Sequence, residues 1–244
     1  MTTEDKPILL QGAMDIEIAY FLAKLKNKEK TVVNNFVFWQ GDLPEGKVVI
    51  SKTRIGTAMA AGATALGIHL YEPRLIISQG TSGAYSPHLG YNDIVLGEKF
   101  FNGSAVLSGV DGVNSFLALE NMEKENDFAR LFKTAPQYLS SNTAALKAAQ
   151  KAVARYRDGK VITGVIASFD QWNKDVKKIR SFTEATEALC EEMETNGAGT
   201  IAINCGIPFL AVRVISNNNA TGTSFKGETA INCQEFVEMI LQEL

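Results

Sequence analysis

Four short segments hold the residues best suited to chemistry. They are Gly12-Ala13-Met14-Asp15-Ile16-Glu17, Gln79-Gly80-Thr81-Ser82-Gly83-Ala84, Glu191-Glu192-Met193-Glu194 and Arg213-Val214-Ile215-Ser216-Asn217. Carboxylates can take a proton from a reacting group or accept bonds from ligand hydroxyls. Thr81 and Ser82 add hydroxyls and backbone N–H groups at the end of an apolar run. Taken alone, Glu17 reads first as an acid in the first turn of a helix, where the macrodipole favours it. Met193 alone reads as core packing as readily as a polarizable face for a ligand. The Gly80-to-Gly83 run lacks the Lys of a phosphate-binding P-loop and the spacing of a dinucleotide fingerprint, which argues against nucleoside triphosphate chemistry.

Buried strands and small-residue helices must position these segments. Pro7–Gly12 reads as a strand ending at a glycine, and residues 15–28 as a helix, with Ile16, Ala19, Tyr20 and Ala23 at helical spacing. Thr31–Trp39 and Lys47–Ser51 read as strands, joined through the turn signal Gly41–Gly46. The Ala-rich stretch Gly56–Leu70 reads as a helix packed closely on a sheet, and Arg74–Ser78 as a second buried strand running into glycines. Asn92–Phe101 and Lys160–Ala167 are further strands, and Asn142 is the N-cap expected for a helix over 143–156. Phe182–Cys190 and Ala198–Asn204 read as helices, Pro208–Ile215 as the last strong strand and Thr229–Leu241 as a closing amphipathic helix. Residues 102–140, with mixed Gly, Asn and Ser, read as loops and short elements. The order predicts α/β architecture: a single-domain three-layer α/β/α fold over 1–244 with a mixed central sheet. In such folds ligands bind at the carboxyl ends of strands, where the four segments fall.

Composition narrows the classes. Among 244 residues, 24 Lys+Arg stand against 27 Asp+Glu, a formal net charge of -3, so a basic surface for nucleic acid is not supported. Cys190, Cys205 and Cys233 are too widely spaced for a zinc site or a disulfide framework, and His69 and His88 make no histidine-rich metal site. No apolar run approaches membrane-span length, and the start of the chain has no secretory apolar core. The expected compartment is the cytoplasm, with no membrane partner.

Together and in this order, the segments resemble the nucleoside phosphorylase/nucleosidase superfamily, nearest the 5′-methylthioadenosine/S-adenosylhomocysteine nucleosidase group. The resemblance runs over nearly the whole chain. It rests on Gly12-Ala13-Met14 with Glu17, Ile55-Gly56 before the Ala-rich helix, Gly80–Gly83 followed by Gly90-Tyr91-Asn92-Asp93-Ile94-Val95, Glu192-Met193-Glu194, and Pro208-Phe209 leading to Arg213-Val214-Ile215-Ser216.

The resemblance implies N-glycosidic cleavage of a purine nucleoside by water, with no cofactor and no metal. It implies that Glu17 activates the water, that Glu194 accepts bonds from the 2′- and 3′-hydroxyls, and that Met193 faces the sugar. Thr81 and Ser82 are placed for ribose or water, and Ser216 lies in the same motif. Arg213 matches the family Arg that organises the Glu194 side of the pocket. Phe169 or Trp172 is expected to stack on the base, and Phe225 to close over the site. The segment Met14–Glu17 is acidic where the phosphorylase branch carries a basic phosphate loop, which favours hydrolysis; Arg54 is a cation where the nucleosidase group has Gly. Asn217 stands where adenine-specific members carry a proton-donating Asp. This leaves open a hydrolase or phosphorylase for 6-oxopurine nucleosides of the inosine, guanosine or futalosine kind, and a non-catalytic nucleoside-binding protein. The family assembly is a homodimer, and residues 102–140 are the segment expected to meet the partner.

Overall fold

A computed structural model describes residues 6–109, 112–117 and 132–244. Its elements are β1 (Ile8–Gly12), α1 (Ala19–Lys24), β2 (Lys26–Val33), β3 (Phe36–Leu43), β4 (Gly46–Lys52), α2 (Thr57–Tyr71), β5 (Leu75–Ala84), β6 (Ile94–Asn102), β7 (Val106–Gly109), β8 (Gly112–Leu117), β9 (Phe132–Lys133), β10 (Leu139–Ser140), α3 (Thr143–Ala152), β11 (Val161–Ser168), α4 (Val176–Thr186), β12 (Ala188–Glu192), α5 (Thr195–Asn204), β13 (Phe209–Asn218) and α6 (Thr229–Leu241). No helix among the described residues is long and apolar enough to cross a membrane.

Ten strands form one mixed sheet in the order β10-β6-β11-β12-β5-β1-β4-β3-β2, with β13 pairing both β5 and β6. The pairings β5–β13, β13–β6, β6–β11, β11–β12 and β12–β5 close a circuit, so half the sheet curls onto itself. β1 and β13 are buried along their whole length, which is why they read as continuous apolar runs. Residues of α1, α3 and α6 pack on one face of the sheet, with Phe21, Ala149 and Phe236 in that core. Ala60 of α2 and Ala198 and Ala202 of α5 pack on the other, their small side chains letting the helices lie close.

Four elements depart from the sequence reading. The helix expected over 15–28 is a 3-10 turn at Asp15–Glu17 and a short α1; from Lys26 the chain is already strand. That strand, Lys-Asn-Lys-Glu-Lys-Thr-Val-Val, is an almost fully exposed edge, and its charges suit an edge that must not recruit another strand. The run Thr31–Trp39 folds back at Asn34-Asn35 as a hairpin rather than forming one strand. Phe182–Cys190 is split: α4 ends at Glu187, in the left-handed conformation at φ 59, and Ala188–Glu192 becomes β12 between β11 and β5. Finally, β5 does not stop at its glycines but continues to Ala84. Asn142 does cap its helix, accepting from the N–H groups of Ala144 and Ala145.

Candidate active site

The carboxyl ends of β1, β5, β11, β12 and β13 meet at one edge of the sheet and bring the four segments together. A narrow cleft there is lined by Gly12, Ala13, Thr53, Gln79, Glu194 and Arg213.

Glu17 is 3% exposed and is bonded to Ala13, one of the residues that line this cleft. Four donors hold its carboxylate: the N–H groups of Ala13 (2.8 Å) and Met14 (3.1 Å) on one oxygen, and the N–H (2.8 Å) and hydroxyl (2.9 Å) of Thr81 on the other. The glycines after β1 and within β5 make this clamp possible. A Cβ at Gly80 would lie 2.7 Å from a Glu17 oxygen, and one at Gly12 would lie 2.9 Å from Glu17 Cβ. Gly80 marks close approach, not a turn, and β5 runs straight past it.

Glu194 lines the cleft at the start of α5, its carboxylate accepting the Gly56 N–H at 3.0 Å. Burial, then the nearby Glu192 carboxylate and Glu17 push its pKa up, against the pull of Arg213 and the Gly56 N–H. Glu17 and Glu194 therefore share one electrostatic environment.

Arg213 does not bond Glu194 directly. It is 1% exposed and donates to Glu192 from Nε (3.0 Å) and Nη2 (2.6 Å), and to Ser78 Oγ at 2.9 Å. Glu192 also accepts the N–H groups of Glu194 (2.9 Å) and Thr195 (2.8 Å) and the Ser168 hydroxyl. Burial opposes ionisation of Glu192, but Arg213, Ser168 and the backbone outweigh it and hold the carboxyl below the ordinary range. Arg213 thus bonds Glu192 and not Glu194, and Glu192 ties β12, β13 and the first turn of α5 together. Sequence reading includes Glu192 in the motif Glu192-Met193-Glu194 but gives it no role of its own. Asp170 was missed: it accepts the Thr57 N–H at 2.8 Å and caps α2 beside Gly56.

Further along β13, its pairing with β5 shifts register between Ile215 and Asn217, a bulge at Ser216. Bulges re-aim side chains. Ser216 Oγ lies 3.1 Å from the Ser82 carbonyl and 3.0 Å from Asn217 Oδ1. Asn217 Nδ2 donates to Asn219 Oδ1 at 2.6 Å. Trp172 is 54% exposed, donates from Nε1 to the same Asn219 oxygen at 3.2 Å, and meets Phe225 edge to face at 6.1 Å. Trp172 and the 45% exposed Phe225 form an aromatic lip. Phe169 is elsewhere: it is buried in a core cluster against Phe182, with ring centroids 5.1 Å apart. Ser82 is turned inward, donating to the Val214 carbonyl at 3.2 Å. Met193 is half-buried beside Glu194, its carbonyl accepting from the Thr57 hydroxyl at 3.3 Å. Arg54 is exposed, with φ 70.

Comparison with known proteins gives the family. A 5′-methylthioadenosine/S-adenosylhomocysteine nucleosidase of Anoxybacillus flavithermus is 26% identical over 97% of this chain and 98% of its own length. One from Shewanella sediminis is 29% identical over 85% of this chain and 84% of its own. Among solved structures, the Neisseria meningitidis 5′-methylthioadenosine/S-adenosylhomocysteine nucleosidase in complex with methylthio-immucillin-A superimposes with a TM-score of 0.81 at 21% identity, covering 98% of this chain and 100% of that one. The futalosine hydrolase of Helicobacter pylori gives a TM-score of 0.81 at 18% identity, covering 98% and 99%. The sequence profile of the phosphorylase superfamily matches residues 7–244, and the chain belongs to that superfamily.

Proposed function

We propose that the chain hydrolyses the N-ribosidic bond of purine nucleosides, in the manner of the 5′-methylthioadenosine/S-adenosylhomocysteine nucleosidases it is similar to. The observation that carries this reading is the four-donor clamp that ties Glu17 to the cleft residue Ala13, close enough to a second carboxylate, Glu194, for the two charges to interact. Water is the nucleophile. Its oxygen bonds to C1′ as the C1′–N9 bond breaks, its proton passes to Glu17, and the bonding pair leaves with the purine. Ionised Glu194 accepts the 2′- and 3′-hydroxyls, and its negative charge stabilises the ribosyl cation as it develops. Met193 lies against the sugar, and Trp172 with Phe225 covers the base. Asn217 donates a hydrogen bond to the leaving purine but holds no acidic proton, so that proton comes from solvent.

The charges near β1 support water over phosphate. Arg213 is bonded to Glu192, and Lys52 is bonded to Asp15 at 2.6 Å. A second reading concerns the base. Asn217 in place of an acid favours 6-oxopurines such as hypoxanthine or guanine. The reading further includes one domain over 1–244, a cytoplasmic homodimer and no cofactor. Part of 102–140, the segment expected at the partner, lies outside the described residues. Inosine, guanosine, 5′-methylthioadenosine and S-adenosylhomocysteine assayed with and without phosphate test the proposal. Free base and free sugar without phosphate are expected; strict phosphate dependence, or no release from any nucleoside, would overturn it.

A further inference from the structure

Two hydrogen bonds from Asn217, by way of Asn219, lies a buried carboxylate that the proposed reaction does not use. Glu191 is 5% exposed. Its Oε1 accepts the N–H of Asn173 (3.0 Å) and Asn219 Nδ2 (2.6 Å), and its Oε2 accepts the Tyr85 hydroxyl (2.6 Å) and Asn173 Nδ2 (2.5 Å). These donors hold the carboxylate in place among Tyr85, Asn173 and Asn219. Its reach toward the ligand is through Asn219.

The amide of Asn219 has only one workable orientation. Its Oδ1 takes protons from Asn217 Nδ2 and Trp172 Nε1, while its Nδ2 donates to Glu191. Turning it over would set an NH2 against two N–H donors and an oxygen against a carboxylate. Asn217 inherits that orientation. Ser216 has a single proton to divide between Asn217 Oδ1 and the Ser82 carbonyl, so Asn219 is the firmer hold. Both amides lie over Gly83, where a Cβ would come within 2.7 Å of Asn219 Nδ2 and 2.8 Å of Asn217 Nδ2.

We propose that Glu191 is a positioning residue for base selection: acting through Asn219, it locks the Asn217 amide with a free N–H toward the base, which favours 6-oxopurines over 6-aminopurines. This rests on the nucleoside reading above. The locked amide turns its oxygen back to Ser216 and keeps one N–H unspent. A 6-oxopurine sets two acceptors, O6 and N7, side by side for that donor. A 6-aminopurine replaces one of them with a donor. An unlocked Asn could turn over and serve either base, so the lock converts a permissive side chain into a selective one.

The test compares kcat/KM for inosine and adenosine in the wild type and in E191L, N219A and E191Q, alongside calorimetric binding of free hypoxanthine and adenine. The wild type is expected to prefer the 6-oxo partner by about tenfold or more in both measurements. E191L and N219A should bring both ratios close to one, whereas E191Q, whose carbonyl can still accept from Asn219, should keep most of the preference. A purely structural role would lower both substrates together and leave the ratios unchanged, and that result would overturn the proposal. So would a wild type that prefers the 6-amino partner, or one that binds neither base. If no nucleoside is cleaved but the hypoxanthine preference exists and collapses in E191L, the lock stands and hydrolysis falls.

Discussion

At the scale of single residues, Glu17 is built to be held still. Four donors fix its carboxylate, so a water bonded to it meets a base of fixed position rather than a swinging side chain. Glu17→Gln should lower kcat for base release by about 10²–10⁴-fold while changing KM little; initial-rate assays check this, and a variant as fast as the wild type would remove Glu17 from the reaction. Glu194 carries a pH prediction. Its raised pKa, set first by burial and then by Glu192 and Glu17, means that the carboxylate needed for the ribose diol forms only above the usual carboxylate range. The acid limb of kcat/KM should therefore lie above about pH 4.5, and Glu194→Gln should remove most of the activity at every pH. Glu192 does different work. Its loss leaves Arg213 charged and buried with no counter-ion, so Glu192→Gln should destabilise the fold by about 3–5 kcal/mol in urea unfolding at neutral pH. The sign of its pH dependence follows from a lowered folded pKa: this stabilisation is present above the unfolded value and is lost as pH falls through the folded one. The variant's unfolding curve should lack that acid-side loss.

At the scale of elements, the site depends on two glycines that let a helix turn and a strand approach each other. Gly80→Ala puts a Cβ 2.7 Å from a Glu17 oxygen, so the carboxylate or β5 must move; kcat should drop by at least about tenfold, because small misplacements of a reacting group are expensive in rate. An enzyme with unchanged kcat would show that the clamp tolerates displacement. The same glycines explain where sequence reading succeeded and failed. The continuous apolar runs of β1 and β13 and the amphipathic pattern of α6, Thr229–Leu241, were legible because burial itself imposes those patterns. Gly80 and Gly83 looked like the end of a strand because a glycine's need for space and its role in a turn leave the same letter. β12 looked helical because its strand state is imposed by β11 and β5, which are distant in sequence. Phe169 and Trp172 lie three residues apart in one stretch, yet the first is core and the second is lip; only the packing of α4 separates them. The Asn217–Asn219–Glu191 chain joins residues 28 positions apart, a link that no local pattern announces.

At the scale of the whole molecule, the superfamily match spans 7–244, and the sheet delivers five strand ends to one edge. A raised carboxylate there works against the fold while it prepares the site. Glu194's contribution to stability is greatest below its unfolded pKa and is lost as pH rises through its raised folded value. Glu194→Gln should accordingly hold its melting temperature better than the wild type on going from pH 6 to pH 9, as thermal unfolding across that range would reveal; parallel curves would contradict the electrostatic assignment. The most direct measurement for the central claim is turnover of a purine nucleoside in ¹⁸O-labelled water, with mass analysis of the sugar. The account predicts phosphate-independent release of free base and one ¹⁸O at C1′ of the ribose. Ribose 1-phosphate formed only when phosphate is supplied, with no label from water, would contradict it.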